Sequence, residues 1–221
     1  MPRVTDAHRE RRRRQILDAA VVCFDRKGLH GTATDDIVAE AGLSAGAIYR
    51  YFDSKEAIIE AVAAERHDRE RSLLAHATAT GDLRASIQAF VDGYLEWLSD
   101  PEEQRRRRVN VHVWAEALHN PRLRAIVASG LAPLHDSVHI VEDAVRAGTF
   151  PTTIDLESFV RAILALLQGL VLQQAWDLTI DLQRYGAAVL TMIDALLDAG
   201  RRPGAEVSQR QPSARIRPGS L

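Results

Sequence analysis

The chain has 221 residues, 46% of them hydrophobic and 26% charged, with a formal net charge of −2 and a single cysteine. That length suffices for one good core, or for a small module joined to a larger domain. No apolar run approaches the roughly 18 residues of a membrane span, no apolar run follows the basic N-terminus as in a signal peptide, and Cys23 has no partner for an internal disulfide, so a reduced cytoplasmic protein is expected.

The near-neutral sum hides an uneven distribution. Residues 1–14 carry six arginines against Asp6 and Glu10, and residues 201–221 carry five against Glu206. Cations gathered at the ends suit nucleic-acid contact, and they equally suit solvated, disordered ends.

The first helix is expected from about His8 to Lys27. Ile16, Ala19, Ala20, Cys23 and Phe24 recur at helical spacing, and Gly28 is a natural stop. Cys23 lies on this stripe and reads as core. A second helix follows a turn at His30–Thr32, with Thr34 as its N-cap and Asp35 and Asp36 at its positive end. It stops by Gly42. Ser44 can cap a third helix that carries Ala47, Ile48, Tyr49 and Phe52, and Leu43 can plug the angle between the two. A fourth helix starts after Asp53 or Ser54 and runs to about His76.

Helix, tight turn and helix over residues 34–52 are the shape of a helix-turn-helix, whose second helix reads base edges in the major groove. Ala45, Gly46 and Ala47 keep the leading edge of that helix slim. Tyr49, Tyr51 and Lys55 can reach the DNA backbone, and Arg50 is long enough for a guanine edge or a phosphate. The same shape also occurs as plain scaffold, so pattern alone leaves both uses open.

The remainder reads as helical, with no internal repeat and no convincing strand. A helix over about 82–98 carries Phe90, Tyr94 and Trp97 on a related face. The charged run Glu102–Arg108 reads as exposed, and the next helix ends near His119 at Asn120–Pro121. Helices are expected over 122–130, 131–147, 156–174 (capped by Asp155) and 179–199. After Gly200 the composition shifts to Arg, Pro, Ser, Gln and Gly, the signature of a disordered tail.

Residues 156–174 are apolar on most sides, with Phe159, Ile163, Leu167 and Leu170 among them, and the last helix offers Leu190, Ile193 and Leu197. An intramolecular core or a partner chain can bury such faces, and two-fold helix pairing is the natural partner arrangement. Gly169 would permit close helix approach.

Thr34, Ile37, Ala41-Gly42-Leu43-Ser44, Gly46, Tyr49, Tyr51-Phe52 and Lys55 together resemble the DNA-binding signature of TetR-type bacterial transcriptional regulators, over roughly residues 10–60. The resemblance implies an all-α homodimer, usually a repressor. It implies a three-helix DNA-binding head with its basic arm (1–54), a larger helical effector-binding and dimerisation domain (55–200) and a tail (201–221). Phosphate contacts are implied for Thr34, Tyr49, Tyr51 and Lys55, and base-facing positions for Asp35, Ala45, Gly46, Ala47 and Arg50, with Ser44 in the same DNA-binding set. The last two long helices of both chains would form a four-helix interface from Phe159, Ile163, Leu167, Leu170, Leu190, Ile193 and Leu197. Three residues depart from the commonest pattern: Tyr51 stands where histidine is frequent, Val38 replaces a common alanine, and Asp35 occupies an often basic or polar position. A carboxylate there can accept from cytosine N4 but repels phosphate.

The expected partners are double-stranded operator DNA, a small-molecule effector of unknown identity and a second copy, with no membrane, no cofactor and no catalysis. Effector binding and DNA binding would be linked through the fourth helix. Phe90, Tyr94, Trp97, Trp114 and Trp176 are candidates for the aromatic wall of an effector pocket, with His112 and Gln173 as polar companions; the aromatics fit core packing as well. His112, Glu116 and His119 share a helix face, and His135 and His139 form another pair; a metal site or a polar strip would explain either, and no metal is assigned. A helix-borne HExxH, a Walker loop, a dinucleotide fingerprint and a nucleophile elbow are absent. The rival readings are an activator or dual regulator, a sensor of a protein or a metal instead of an organic effector, an enzyme with a helical fold, and a purely structural dimer.

Overall fold

A computed structural model describes residues 6–79, 82–129, 142–143, 145–148, 150 and 154–199, and their regular structure is all helical. The main helices are α1 (Asp6–Gly31), α2 (Thr34–Ala41), α3 (Ala45–Tyr49), α4 (Lys55–Thr78), α5 (Leu83–Ser99), α6 (Pro101–Ala117), α7 (Pro121–Ser129), α8 (Leu156–Gln174) and α9 (Leu182–Ala199). Of the helices expected from sequence, the one over 131–147 lies largely outside the described residues, as do His135, His139 and the tail after Gly200.

The head is built from short-range signals. Gly28 does not end α1 but kinks it, with φ 72 and ψ 171, a conformation that favours glycine. The buried Thr32 hydroxyl takes up carbonyls at the kink, donating to Gly28 O at 2.8 Å and Cys23 O at 3.1 Å. Thr34 is the first residue of α2 rather than its cap. Ala33 holds the cap position, and Asp36, one turn in, accepts from the Ala33 N–H at 2.9 Å and closes the start from within. Lys27, 2.7 Å away, and that backbone bond together hold the Asp36 carboxyl below the usual range. Gly42 reverses the chain in the left-handed region, with φ 63. Ser44 Oγ accepts from Ala47 N at 3.2 Å and starts α3. α3 ends at Tyr49, short of Phe52, because the Tyr51 and Phe52 amides both turn back to Ile48 O at 2.8 and 3.0 Å. Ser54 starts α4 in the same way as Ser44 starts α3, at 3.1 Å.

Two hydrophobic cores share α4 and α6 as walls. The first gathers Ile16, Phe24, Ile37, Ile48 and Ile58 from the head, and it also contains Val109, Val113 and Ala117 of α6 and Leu123 of α7. The second gathers Val91 and Leu98 of α5, Leu167, Leu170 and Val171 of α8, and Val189 of α9. α9 packs closely on α5 at Gly186, where an added Cβ would run into Leu95 Cδ1. Gly169, expected at a close helix approach, faces open space within the chain.

The charged run Glu102–Arg108 departs from its expected exposure. It forms the first half of α6 and lies against α1 and α4, where Glu103 and Arg107 are buried. Burial is tolerable because the charges are partnered. Arg69 pairs with Glu103 at 2.5 Å, Arg106 pairs with Asp18 and Glu65, and Arg107 donates to Leu98 O.

Candidate nucleic-acid interface and the body behind it

The head presents α3 to solvent. Ser44, Ala45, Gly46, Tyr49 and Arg50 are exposed, Ala47 is half-buried, and Ile48 alone of this helix is sunk in the core. Thr34 and Asp35 belong to the first turn of α2, half-buried and exposed respectively. Tyr49 is 52% exposed, a large aromatic surface with no intramolecular reason to be there. Around Gly46 a Cβ would meet nothing, so internal packing does not require glycine at this position. The platform behind α3 is tied together by side chains. Gln15 ties α1 to the end of α2 by donating to Ala41 O at 2.7 Å, and Arg26–Glu40 and Lys27–Asp36 bridge the same two helices, both at 2.7 Å.

Tyr51 is half-buried against the head core. Lys55 is engaged inside the chain, where its ammonium donates to Leu29 O at 3.0 Å and Thr32 O at 2.9 Å. Those carbonyls lie where kinked α1 ends, so the first residue of α4 fastens the end of α1. Sequence spacing placed Lys55 near the backbone of a duplex and did not reveal this second use, nor the part played by Thr32.

In the body, Phe90, Tyr94 and Trp97 are buried and in ring contact, with centroids 6.0 and 5.3 Å apart along the series. Trp114 joins them through Arg66, whose guanidinium lies 5.1 Å from the Trp97 ring and 5.4 Å from the Trp114 ring. Arg66 also donates to Tyr94 OH at 3.0 Å and pairs with Glu70 at 2.6 Å. Burial pushes the Glu70 carboxyl up against the opposing pull of Arg66. Trp176 and Gln173 are exposed, Trp176 by 68%, and His112 is also exposed. Glu116, expected to share a face with His112 and His119, lies 2.7 Å from His30 Nε2 and joins α6 to the head. No group of three or more potential metal ligands gathers among the described residues.

Arg66 and Asn110 went unremarked in the sequence. Arg66 sits four residues before Glu70, a spacing that normally marks a solvated helix pair; only the tryptophans of α5 and α6 make it a buried one. A cleft of about 850 Å3 opens beside Arg66, between α1, α4 and α6.

The apolar residues expected at a dimer interface are mostly consumed within the chain. Phe159, Leu167, Leu170, Ile193 and Leu197 are buried in the second core, and Ile163 and Leu190 are half-buried against it. Their apolar character is explained in part by α5, which packs on α9, and by α6, which packs on α8. The outward side of the two helices carries Ala162, Ala165 and Leu172 on α8 and Ala188, Met192 and Ala195 on α9, with Met192 53% exposed.

Residues 16–62 match the family model described as bacterial regulatory proteins, tetR family, and residues 83–198 match that described as BetI-type transcriptional repressor, C-terminal. The chain is 34% identical over 99 residues to the HTH-type transcriptional regulator YfiR of Bacillus subtilis, a match covering 45% of this chain and 48% of that protein. It is 27% identical over 176 residues to the HTH-type transcriptional regulator SrpR of Pseudomonas putida, covering 77% and 78%. Among solved structures, the transcriptional regulator FadR from Bacillus subtilis in complex with stearoyl-CoA superposes with a TM-score of 0.70 at 19% identity, covering 83% of this chain and 98% of that one. Among the described residues no helix is long and apolar enough to cross a membrane.

Proposed function

The chain belongs to the TetR family of bacterial transcriptional regulators, and on that premise we propose that it acts as a homodimeric repressor, binding a palindromic operator and leaving it when a small effector binds the body. The observation that carries this reading is the surface of α3: small residues, an exposed tyrosine and an exposed arginine on a helix whose own packing needs only Ile48. Ala45, Gly46 and Ala47 let the helix sit deep in the major groove, and Arg50 reads a base edge or a phosphate. Thr34, Tyr49 and Tyr51 contact phosphate, and Asp35 lies at the edge of the same surface. Lys55 acts mainly by holding α4 to the end of α1, which sets the angle of the head.

The second copy docks on the outward alanines and Met192 of α8 and α9, and the two recognition helices then stand about 34–36 Å apart, one turn of DNA. The match to a repressor-type body supports repression, and the solved neighbour with stearoyl-CoA supports an effector-binding body. An effector that favours a different spacing of the heads weakens operator binding by its differential affinity for the two arrangements.

The test is selection of duplexes from a random pool by the purified protein, followed by footprinting. A palindrome with half-site centres one turn apart is expected. Enrichment of no sequence at low salt would remove the operator-binding reading.

A further inference from the structure

The cleft between α1, α4 and α6 has features that the fold does not need. Its lining includes seven arginines and five carboxylates, set over an apolar floor that includes Val62, Ala63 and Val113. Several of the arginines are paired across it: Arg13 lies 3.6 Å from Glu65, and Arg106 reaches both Glu65, at 3.1 Å, and Asp18. Arg14 and Arg105 form no ion pair among the described residues. Arg107 is buried, and its pKa is depressed by that burial despite the neighbouring Glu103.

Two buried donors on residues that line the cleft, one on α5 and one on α6, are unused. Trp97 Nε1 and Asn110 Nδ2 have no hydrogen-bond partner, although their residues are only 6% and 7% exposed. Buried polar groups are normally satisfied, and those that are not call for an explanation. Here both orphans are donors, both belong to residues lining one cleft, and that cleft has a surplus of cationic over anionic side chains. The Trp97 ring is held firmly, with Arg66 and Arg69 centred 5.1 and 5.5 Å from it.

We propose that this cleft binds a small organic anion, a carboxylate or phosphate with a short apolar body. Its oxygens accept from Trp97 Nε1 and Asn110 Nδ2, its charge offsets Arg14, Arg105 and Arg107, and its apolar part lies on Val62 and Val113. The cleft, at about 850 Å3, admits a molecule of that class with room to spare. The regulatory consequence rests on the repressor reading above. One wall of the cleft is α1 of the head, the others are α4 and α6 with Trp97 of α5 between them, and an anion entering it competes with Asp18 and Glu65 for the arginines that now join them.

Binding is tested on the free protein, without DNA, by isothermal titration calorimetry at constant ionic strength with sodium hexanoate, hexyl phosphate and hexanol. Saturable binding of hexanoate or hexyl phosphate, at least tenfold tighter than hexanol, is expected, and the tighter of the two identifies the oxyanion. Asn110→Asp, which puts a carboxylate at the orphan donor, should weaken the anion at least tenfold. Trp97→Phe keeps a six-membered ring for Arg66 and removes the N–H along with the five-membered ring that carries it, and should weaken the anion several-fold while circular dichroism stays unchanged. Hexanol binding as tightly as the anions, no saturable binding by any of the three, or anion affinity untouched in a folded Trp97→Phe protein would overturn the proposal. Because no DNA is present, these outcomes are read independently of the duplex selection, and a protein that selects an operator but ignores the anions loses only this inference.

Discussion

Replacing Lys55 by methionine keeps an unbranched apolar stem and deletes the ammonium. Two hydrogen bonds disappear, to Leu29 O at 3.0 Å and Thr32 O at 2.9 Å, both on residues that are themselves buried. A hydrogen bond involving a charged group contributes about 1.5–3 kcal/mol, so two would set an upper bound of about 3–6 kcal/mol. Lys55 is only half-buried and water can reach part of the vacated site, which brings the expected loss to about 2–3 kcal/mol. For a chain of this size each kcal/mol moves the melting temperature by about 2–4 °C, giving a fall of about 5–10 °C. The measurement is calorimetric melting, with the urea midpoint as a second reading, at one fixed protein concentration because self-association would make Tm concentration-dependent. A melting temperature within about 1 °C of the parent would refute the fastening role and return Lys55 to the phosphates.

Other outcomes follow from the same geometry. Gly46→Ala should leave stability unchanged or raise it by up to about 1 kcal/mol, since helix propensity improves and no atom stands in the way of a Cβ; operator affinity measured by fluorescence anisotropy should fall, and retained affinity would mean that α3 does not approach DNA at this point. Met192→Glu should yield folded monomers in sedimentation velocity, whereas Leu167→Asp, at a position 1% exposed, should abolish folding; a Met192→Glu dimer of normal affinity would move the interface elsewhere. His67 is buried, and burial, then Arg66 and Arg71, hold its pKa below the ordinary value of 6.5. The unfolded chain therefore takes up a proton in the window below that value while the native chain does not, so this share of stability is complete above the window and lost as pH falls through it. Glu70, raised by burial, acts with the opposite sign above the ordinary carboxylate value, so the comparison must be between proteins. His67→Gln should show a flatter urea-midpoint profile between pH 7.5 and pH 5.0 than the parent, and parallel profiles would show that His67 does not contribute.

The head was legible because its signals are local. Ser44, Gly42 and Ser54 each act on amides or a turn within a few residues, so spacing alone located α3 and the start of α4. Thr34 misled because the capping group came from Asp36 inside the helix, a choice that depends on Lys27 reaching across from α1. The charged start of α6 misled for a related reason: whether Glu103 and Arg107 are solvated depends on α1 and α4 lying over them, which no window of sequence contains. Apolar residues on α8 and α9 were readable as buried, but not whether the cover is α5 and α6 or a second chain. Trp97 was readable as an aromatic of the body, while its orphan N–H beside Asn110 exists only once α5 and α6 are packed.

The first core does not respect the border between head and body. Val109, Val113, Ala117 and Leu123 complete it from α6 and α7, and Glu116 reaches back to His30. Grafting residues 1–54 onto the body of another regulator would leave Ile16 and Phe24 facing a surface shaped for different side chains. A working chimaera has to carry the inner faces of α6 and α7 with the reader, so the unit that can be exchanged is larger than the reader alone.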